Sequence, residues 1–131
     1  MAFRFPWRRA RAKTVLIVDD DPFILMAVEK FLKIKGCNVV SMQEPEQAFA
    51  HATTQKPDLI ISDVSMPGLD GFTLLKGLRG NRATKNIPLI LLTASDRIVD
   101  VEKGFSSGAE AYILKPIDWD RAWAKIEPFL I

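Results

Sequence analysis

The chain has 131 residues, 48% of them hydrophobic, and a formal net charge of +2. This composition predicts one folded domain with a buried core and excludes a chain that is disordered throughout. A single cysteine excludes an internal disulfide framework, and no apolar run approaches the roughly 18 residues of a membrane span, so we expect a cytoplasmic protein.

Residues 1–13, MAFRFPWRRARAK, form a basic segment with interleaved aromatic residues. The apolar stretch that follows it, Val15 to Val18, is too short for an export signal. We expect a flexible extension that is a frayed terminus or, alternatively, a weak tether to an anionic membrane or nucleic acid. Acids outnumber bases over the rest of the chain, so no direct contact of the domain with nucleic acid is expected.

Strand and helix patterns alternate along the chain. The run TVLIV, residues 14–18, predicts a strand, and a helix follows from Phe23 to Lys35, with Pro22 in its first turn and Asp21 as its N-cap. The next strand–helix pairs are predicted at residues 37–42 and 44–54, 58–62 and 69–79, and 88–93 and 96–105.

The fifth strand is predicted at residues 111–114, and a last helix begins at Asp118 and is strained or ended by Pro128. Five strand–helix units in succession predict an α/β fold, a doubly wound parallel sheet with helices on both faces. Ligands of such sheets bind beyond the carboxyl ends of the strands.

Five polar residues stand at those predicted strand ends and are expected to converge on one edge of the sheet. They are Asp19 and Asp20 after the first strand, Asp63 after the third, Thr93 at the end of the fourth and Lys115 after the fifth.

Three carboxylates packed together repel one another unless a cation or protons intervene, and a small cluster of oxygen ligands suits Mg²⁺. A lysine and a threonine hydroxyl would complement an anion held at the same place. The set predicts a phosphoryl-transfer site with Asp63 as the nucleophile. Each feature alone has a common structural explanation, such as a helix cap before Pro22 or a turn at Lys115-Pro116. Their joint placement at the predicted strand ends favours the phosphoryl-transfer site.

Four motifs, LIVDDDP, PDLIISDVSMPGLDGF, IPLILLTAS and GAEAYILKP, occur in the order and spacing of a known family. Over residues 14–131 the sequence resembles a response-regulator receiver domain of two-component signalling. The resemblance implies a flavodoxin-like fold with five βα units and strand order 2-1-3-4-5. It also implies a cis peptide bond between Lys115 and Pro116.

The resemblance further implies a role for each site residue. Asp63 would accept a phosphoryl group from a histidine of a sensor kinase or histidine phosphotransfer protein. The Mg²⁺ site would be formed by Asp20 as a direct ligand, Asp19 through a metal-bound water, Asp63, and the backbone carbonyl of Ser65. Thr93 and Lys115 would contact the phosphoryl group.

Tyr112 matches the aromatic residue that moves with Thr93 in the family when the acceptor is phosphorylated. Its movement would reshape the surface of the fourth helix, fifth strand and fifth helix for a downstream protein target. The alternative is a tyrosine at the border of the core with its hydroxyl in water. Ser65 and Ser95 stand where the family tunes self-dephosphorylation, and their small neutral side chains favour a long-lived phosphoryl group.

The sequence therefore predicts a signalling switch and no enzyme in the ordinary sense. One alternative is a pseudo-receiver that binds partners without phosphorylation, and another is the receiver fragment of a larger transcription factor or hybrid kinase. A hydrolase with an aspartyl-phosphate intermediate is disfavoured, because such enzymes place a second acid where this chain has Ser65.

Overall fold

The computed structural model of the chain describes residues 11–64, 70–94, 98–106 and 108–131. Strands and helices alternate along these ranges. The strands are β1 (Thr14–Val18), β2 (Asn38–Met42), β3 (Leu59–Asp63), β4 (Leu89–Thr93) and β5 (Ala111–Leu114). The helices are α1 (Pro22–Ile34), α2 (Pro45–Gln55), α3 (Gly71–Arg79), α4 (Ile98–Ser106) and α5 (Trp119–Ile126), and a 3-10 turn, Glu127–Phe129, follows α5.

The five strands form one parallel sheet in the order β2-β1-β3-β4-β5. This confirms the predicted doubly wound topology and strand order. The central strands β3 and β4 are buried along their whole length, because helices cover both faces of the sheet.

Successive residues of a central strand point to opposite faces, so the sheet separates two hydrophobic cores. Ile60 belongs to the core on the side of α2 and α3, together with Leu74 and Leu78. Ile61, the next residue, belongs to the core on the side of α1 and α5, together with Leu32 and Ile126. The uninterrupted apolar runs of the sequence are therefore explained by burial on both faces.

Aspartates are the N-caps of three helices, α1, α3 and α5, because their side chains accept hydrogen bonds from otherwise unpaired backbone N–H groups. Asp21 accepts from Phe23 N at the start of α1, which confirms the predicted cap. Asp70 caps α3 in the same way, so the helix begins at Gly71, two residues later than predicted.

Pro128 lies in the 3-10 turn that follows α5, and α5 ends at Ile126. The prediction that this proline limits the last helix is confirmed. Among the helices that the structure describes, none is both long and apolar enough to cross a membrane.

Candidate functional site

The carboxyl edge of the sheet brings together the side chains that the sequence singled out. Asp19 and Asp20 directly follow β1, Asp63 ends β3, and Lys115 directly follows β5. Thr93 ends β4 between them, because β4 pairs with both β3 and β5. The backbone N–H of Lys115 donates to the carbonyl of Thr93 at 2.8 Å, which fixes the start of the β5–α5 loop beside the end of β4.

The three aspartates form a compact carboxylate cluster. One carboxylate oxygen from each of Asp19, Asp20 and Asp63 lies within 4.8 Å of the other two. Asp19 is fully buried and Asp63 is 6% exposed, whereas Asp20 faces solvent. Buried carboxylates of like charge are unfavourable unless they are paired, so the cluster needs cations.

Lys115 supplies one of those cations. Its ammonium lies 2.9 Å from Asp19 Oδ2 and 3.5 Å from Asp63 Oδ2, with the side chain only 20% exposed. Burial alone would lower the pKa of this ammonium, but the hydrogen bond and charge of Asp19 and the charge of Asp63 outweigh it and raise the pKa. Lys115 is therefore firmly protonated at neutral pH.

Both oxygens of Asp19 already accept hydrogen bonds. Oδ2 accepts from Lys115, and Oδ1 accepts from the backbone N–H of Asp21 at 2.9 Å. The carboxylate is thus held in one orientation from two sides, by the β5–α5 loop and by the turn into α1. Asp20, the exposed member of the cluster, stands next to it in the chain.

The donor set fits a small divalent cation. Three carboxylates beside one ammonium leave an excess of negative charge, and hard oxygen donors are the ligands of Mg²⁺. Neighbouring oxygens in an octahedral Mg²⁺ shell are roughly 2.9 Å apart and opposite ones roughly 4.1 Å. Oxygens within 4.8 Å of one another can share such an ion after the side chains move closer together, or through one intervening water.

Gly71 is a residue beside the site whose importance for the packing of α3 the sequence interpretation missed. A Cβ on this residue would lie 2.2 Å from the backbone oxygen of Asp63, and its N–H donates to the carbonyl of Val64 at 2.8 Å. Only glycine allows α3 to begin this close to the end of β3. The Asp70-Gly71 pair indicated the start of a helix, but nothing local indicated this approach.

The peptide bond between Lys115 and Pro116 is cis, as predicted. Tyr112 on β5 is 5% exposed, and its ring contacts Phe105 of α4 with centroids 6.0 Å apart. The predicted carbonyl ligand of Ser65 and the predicted tuning residues Ser65 and Ser95 lie outside the described residues.

Comparison with known proteins identifies the family. The family model of the response regulator receiver domain matches residues 15–127. The DNA-binding dual master transcriptional regulator RpaA of Synechocystis is 38% identical over 116 residues, which are 88% of this chain and 48% of that protein. The chemotaxis protein CheY4 of Vibrio cholerae superposes with a TM-score of 0.86 at 29% identity, over 92% of this chain and all of that one.

A third relative was solved with a metal. The receiver domain of a sensor histidine kinase from Pseudomonas aeruginosa, with magnesium coordinated in its active site cleft, superposes with a TM-score of 0.83 at 26% identity. It covers 92% of this chain and 98% of that one.

The chain spans about half the length of curated relatives that it matches. Several of these are transcriptional regulators, and one is described as DNA-binding. These relatives therefore do not support the expectation that a whole protein containing this domain makes no contact with nucleic acid.

Proposed function

Because this chain belongs to the response regulator receiver domains, which are signalling domains rather than classical enzymes, we propose that it is a phosphoacceptor switch with Asp63 as the acceptor. The observation that carries the proposal is the convergence of Asp63 with two further carboxylates and a protonated lysine at the carboxyl edge of the sheet. We take residues 14–131 as the receiver domain and residues 1–13 as an extension.

The proposed reaction is a phosphoryl transfer from a histidine. An oxygen of Asp63 attacks phosphorus, the new P–O bond forms as the P–N bond breaks, and the electron pair of that bond goes to the imidazole nitrogen. The Lys115 ammonium, 3.5 Å from Asp63 Oδ2, is placed to neutralise the incoming phosphoryl oxygens. The Thr93 hydroxyl is the donor that we assign to the same group.

Mg²⁺ would be held by the carboxylate cluster and would screen the negative charges of acceptor and phosphoryl group. Asp20 is the better direct ligand because its side chain is exposed, whereas both oxygens of Asp19 already accept hydrogen bonds. Asp19 therefore suits the role of orienting a metal-bound water. Asp63 and the carbonyl of Ser65 complete the proposed set, and the magnesium of the Pseudomonas receiver supports it.

The donor would be a sensor histidine kinase or a histidine phosphotransfer protein. Two large apolar side chains in the first turns of α1, shortly after Asp19 and Asp20 in the chain, stand exposed: Phe23 at 78% and Met26 at 66%. An exposed apolar pair beside a polar site is typical of a protein contact. We assign it to docking of the phosphodonor, whose histidine must come within bonding distance of Asp63.

Phosphorylation adds charge and acceptor oxygens to Asp63, which would draw the Thr93 hydroxyl and its loop toward the new group. The Tyr112 ring would then move, because it packs against Gly104 and Phe105 of α4. The surface of α4, β5 and α5 would then change for a downstream protein. We place the protein in the cytoplasm, as a stand-alone regulator or as the receiver part of a longer regulator with an output domain.

Mass spectrometry of the intact protein after incubation with acetyl phosphate and Mg²⁺ tests the proposal. We expect one added phosphoryl group, which is absent without metal and absent in Asp63→Asn. The matched control, Asp120→Asn, removes an exposed carboxylate outside the cluster and should keep the adduct. Because some receivers refuse small donors, the same samples are titrated with Mg²⁺ by calorimetry.

The outcomes separate the alternatives. No adduct together with no Mg²⁺ binding would favour the pseudo-receiver, which binds its partners without phosphorylation. Catalytic turnover of a phosphate ester would favour the hydrolase instead. An adduct that survives in Asp63→Asn would contradict the assignment of the acceptor.

A further inference from the structure

We propose that the end of the domain opposite the acceptor docks on an anionic lipid membrane. The surface surrounds an open groove of about 350 Å³. Its lining comes from the segment before β1, the α1–β2 turn and the end of α5, and includes Arg11, Lys13, Lys35, Cys37, Trp123 and Leu130.

Exposed cations dominate the charge of this groove. Arg11, Lys13 and Lys35 face solvent, and Glu127 is the acid that lines it among the described residues. The Lys35 ammonium lies 5.0 Å from the centre of the Trp123 ring, which holds this charge over an apolar surface. A cluster of cations above aromatic and aliphatic side chains complements negatively charged lipid headgroups.

Apolar side chains favour a membrane over nucleic acid as the partner. Ile34, next to Lys35 at the end of α1, is 75% exposed, and Trp123 and Leu130 line the groove. Aliphatic side chains gain by entering the interfacial region of a bilayer, whereas they have no favourable counterpart on a phosphate backbone. Burial also raises the pKa of the Cys37 thiol, which therefore lines the groove in its neutral form.

The sequence before Arg11 has the same chemistry as the groove. Phe3, Phe5 and Trp7 stand among arginines, and the first acid of the chain is Asp19. This segment is an unsuitable occupant of the groove, because both carry positive charge. The groove therefore needs a partner that is negatively charged and that accepts apolar side chains.

The position of the groove leaves the acceptor accessible. Lys13 immediately precedes β1, and Gly36-Cys37 immediately precede β2, so the groove lies at the amino ends of the strands. Asp63 and Lys115 lie at their carboxyl ends. A domain docked on a membrane in this way would present its carboxylate cluster to a phosphodonor on the far side.

Flotation of the full chain with lipid vesicles tests the inference. We expect binding to phosphatidylcholine vesicles that contain phosphatidylglycerol, weaker binding to pure phosphatidylcholine, and loss of binding as salt is raised. Replacing the three groove cations together, Arg11→Gln, Lys13→Gln and Lys35→Gln, should lower the affinity by about tenfold or more. A version that starts at Lys13 should also bind less.

The matched control removes three exposed cations elsewhere, Lys76→Gln, Lys103→Gln and Arg121→Gln, and should bind like the wild type. Equal midpoints of thermal unfolding would show that both triple variants are folded. Equal binding to neutral and anionic vesicles, no binding to either, or a groove variant that binds as well as the control would overturn the inference. Binding to duplex DNA without binding to vesicles would overturn it too and assign the groove to nucleic acid.

Discussion

Gly104 on α4 lies against the ring of Tyr112 on β5 so closely that a Cβ on the glycine would stand 2.5 Å from Tyr112 Cε2. The same Cβ would stand 2.8 Å from Leu91 Cδ1 on β4. The helix can therefore approach this part of the sheet only because residue 104 has no side chain. The packing of Tyr112 and the position of α4 are coupled by this contact.

Gly104→Ala should destabilise the fold and disturb the environment of Tyr112. Alanine gains up to about 1 kcal/mol over glycine in a helix, and overpacking a core typically costs about 1–3 kcal/mol. Because both new contacts would be shorter than 3.0 Å, we expect the upper part of that cost and a net loss of about 2 kcal/mol. Urea unfolding measures the loss. As Tyr112 is the single tyrosine of the chain, its NMR signals report the local change.

Gly80→Ala is the matched control, because its Cβ would meet its nearest neighbour at an ordinary 3.5 Å. We expect its stability to stay within about 0.5 kcal/mol of the wild type. A Gly104→Ala variant as stable as Gly80→Ala, with unchanged Tyr112 signals, would show that α4 and Tyr112 are not coupled in this way.

The fold and the location of the site could be predicted from the sequence because both depend on local patterns. Buried strands such as β3 appear as short apolar runs, and parallel strands bring residues like Asp63 and Lys115 to one edge whatever the details of packing. Close approaches could not be predicted. Gly71 and Gly104 are required by atoms of residues on neighbouring strands, Asp63 on β3 and Tyr112 on β5, and no periodicity of the sequence indicates such contacts.

Asp20→Asn should weaken Mg²⁺ binding by about tenfold or more, since it removes the exposed charge of the carboxylate cluster. Without metal the same change should raise the thermal midpoint slightly, because it relieves repulsion among three acids. Thermal unfolding with and without Mg²⁺ measures both effects, as a ligand that binds only the folded chain raises its midpoint.

Asp21→Asn provides the control for Asp20→Asn. It removes one exposed negative charge from the neighbouring residue, and asparagine keeps the cap on α1 that Asp21 provides. We expect nearly normal Mg²⁺ affinity. If both variants lose affinity equally, the general negative charge of this edge, rather than ligation by Asp20, is responsible for binding.

Lys115→Met should destabilise the metal-free chain by about 1–2 kcal/mol near neutral pH. We expect less than the cost of breaking a fully buried ion pair, because the ammonium is partly exposed to solvent. Folding raises the pKa of Lys115 above its value of about 10.4 in the unfolded chain. The stabilisation is therefore fully present below about pH 10.4 and is lost as the pH rises through the folded pKa.

The difference in stability between wild type and Lys115→Met should accordingly stay constant from neutral pH upward and shrink only in the strongly alkaline range. Urea unfolding in EDTA at a series of pH values measures it, with Lys76→Met, on the exposed side of α3, as the reference for general charge effects. A difference that shrinks below neutral pH would instead point to protonation of the carboxylates as the controlling event.

Phe23→Ser should slow phosphoryl transfer from a protein donor without affecting small donors. The side chain is 78% exposed in the first turn of α1, close in the chain to Asp19 and Asp20, so it can contact a partner but is not needed for the core. Loss of a large aromatic contact at an interface typically weakens binding about tenfold or more. We expect kcat/KM for a phosphorylated histidine phosphotransfer protein to fall by that factor, while labelling by acetyl phosphate is unchanged.

Ile34→Ser is the control on the same helix. Ile34 is equally exposed, at 75%, but lies roughly 16 Å farther along the axis, away from the carboxylate cluster. Its replacement should leave transfer from both donors at the wild-type rate. If Phe23→Ser slows labelling by acetyl phosphate as well, the residue supports the geometry of the acceptor rather than donor docking; if the two variants slow protein transfer equally, contact with the donor extends along the whole of α1.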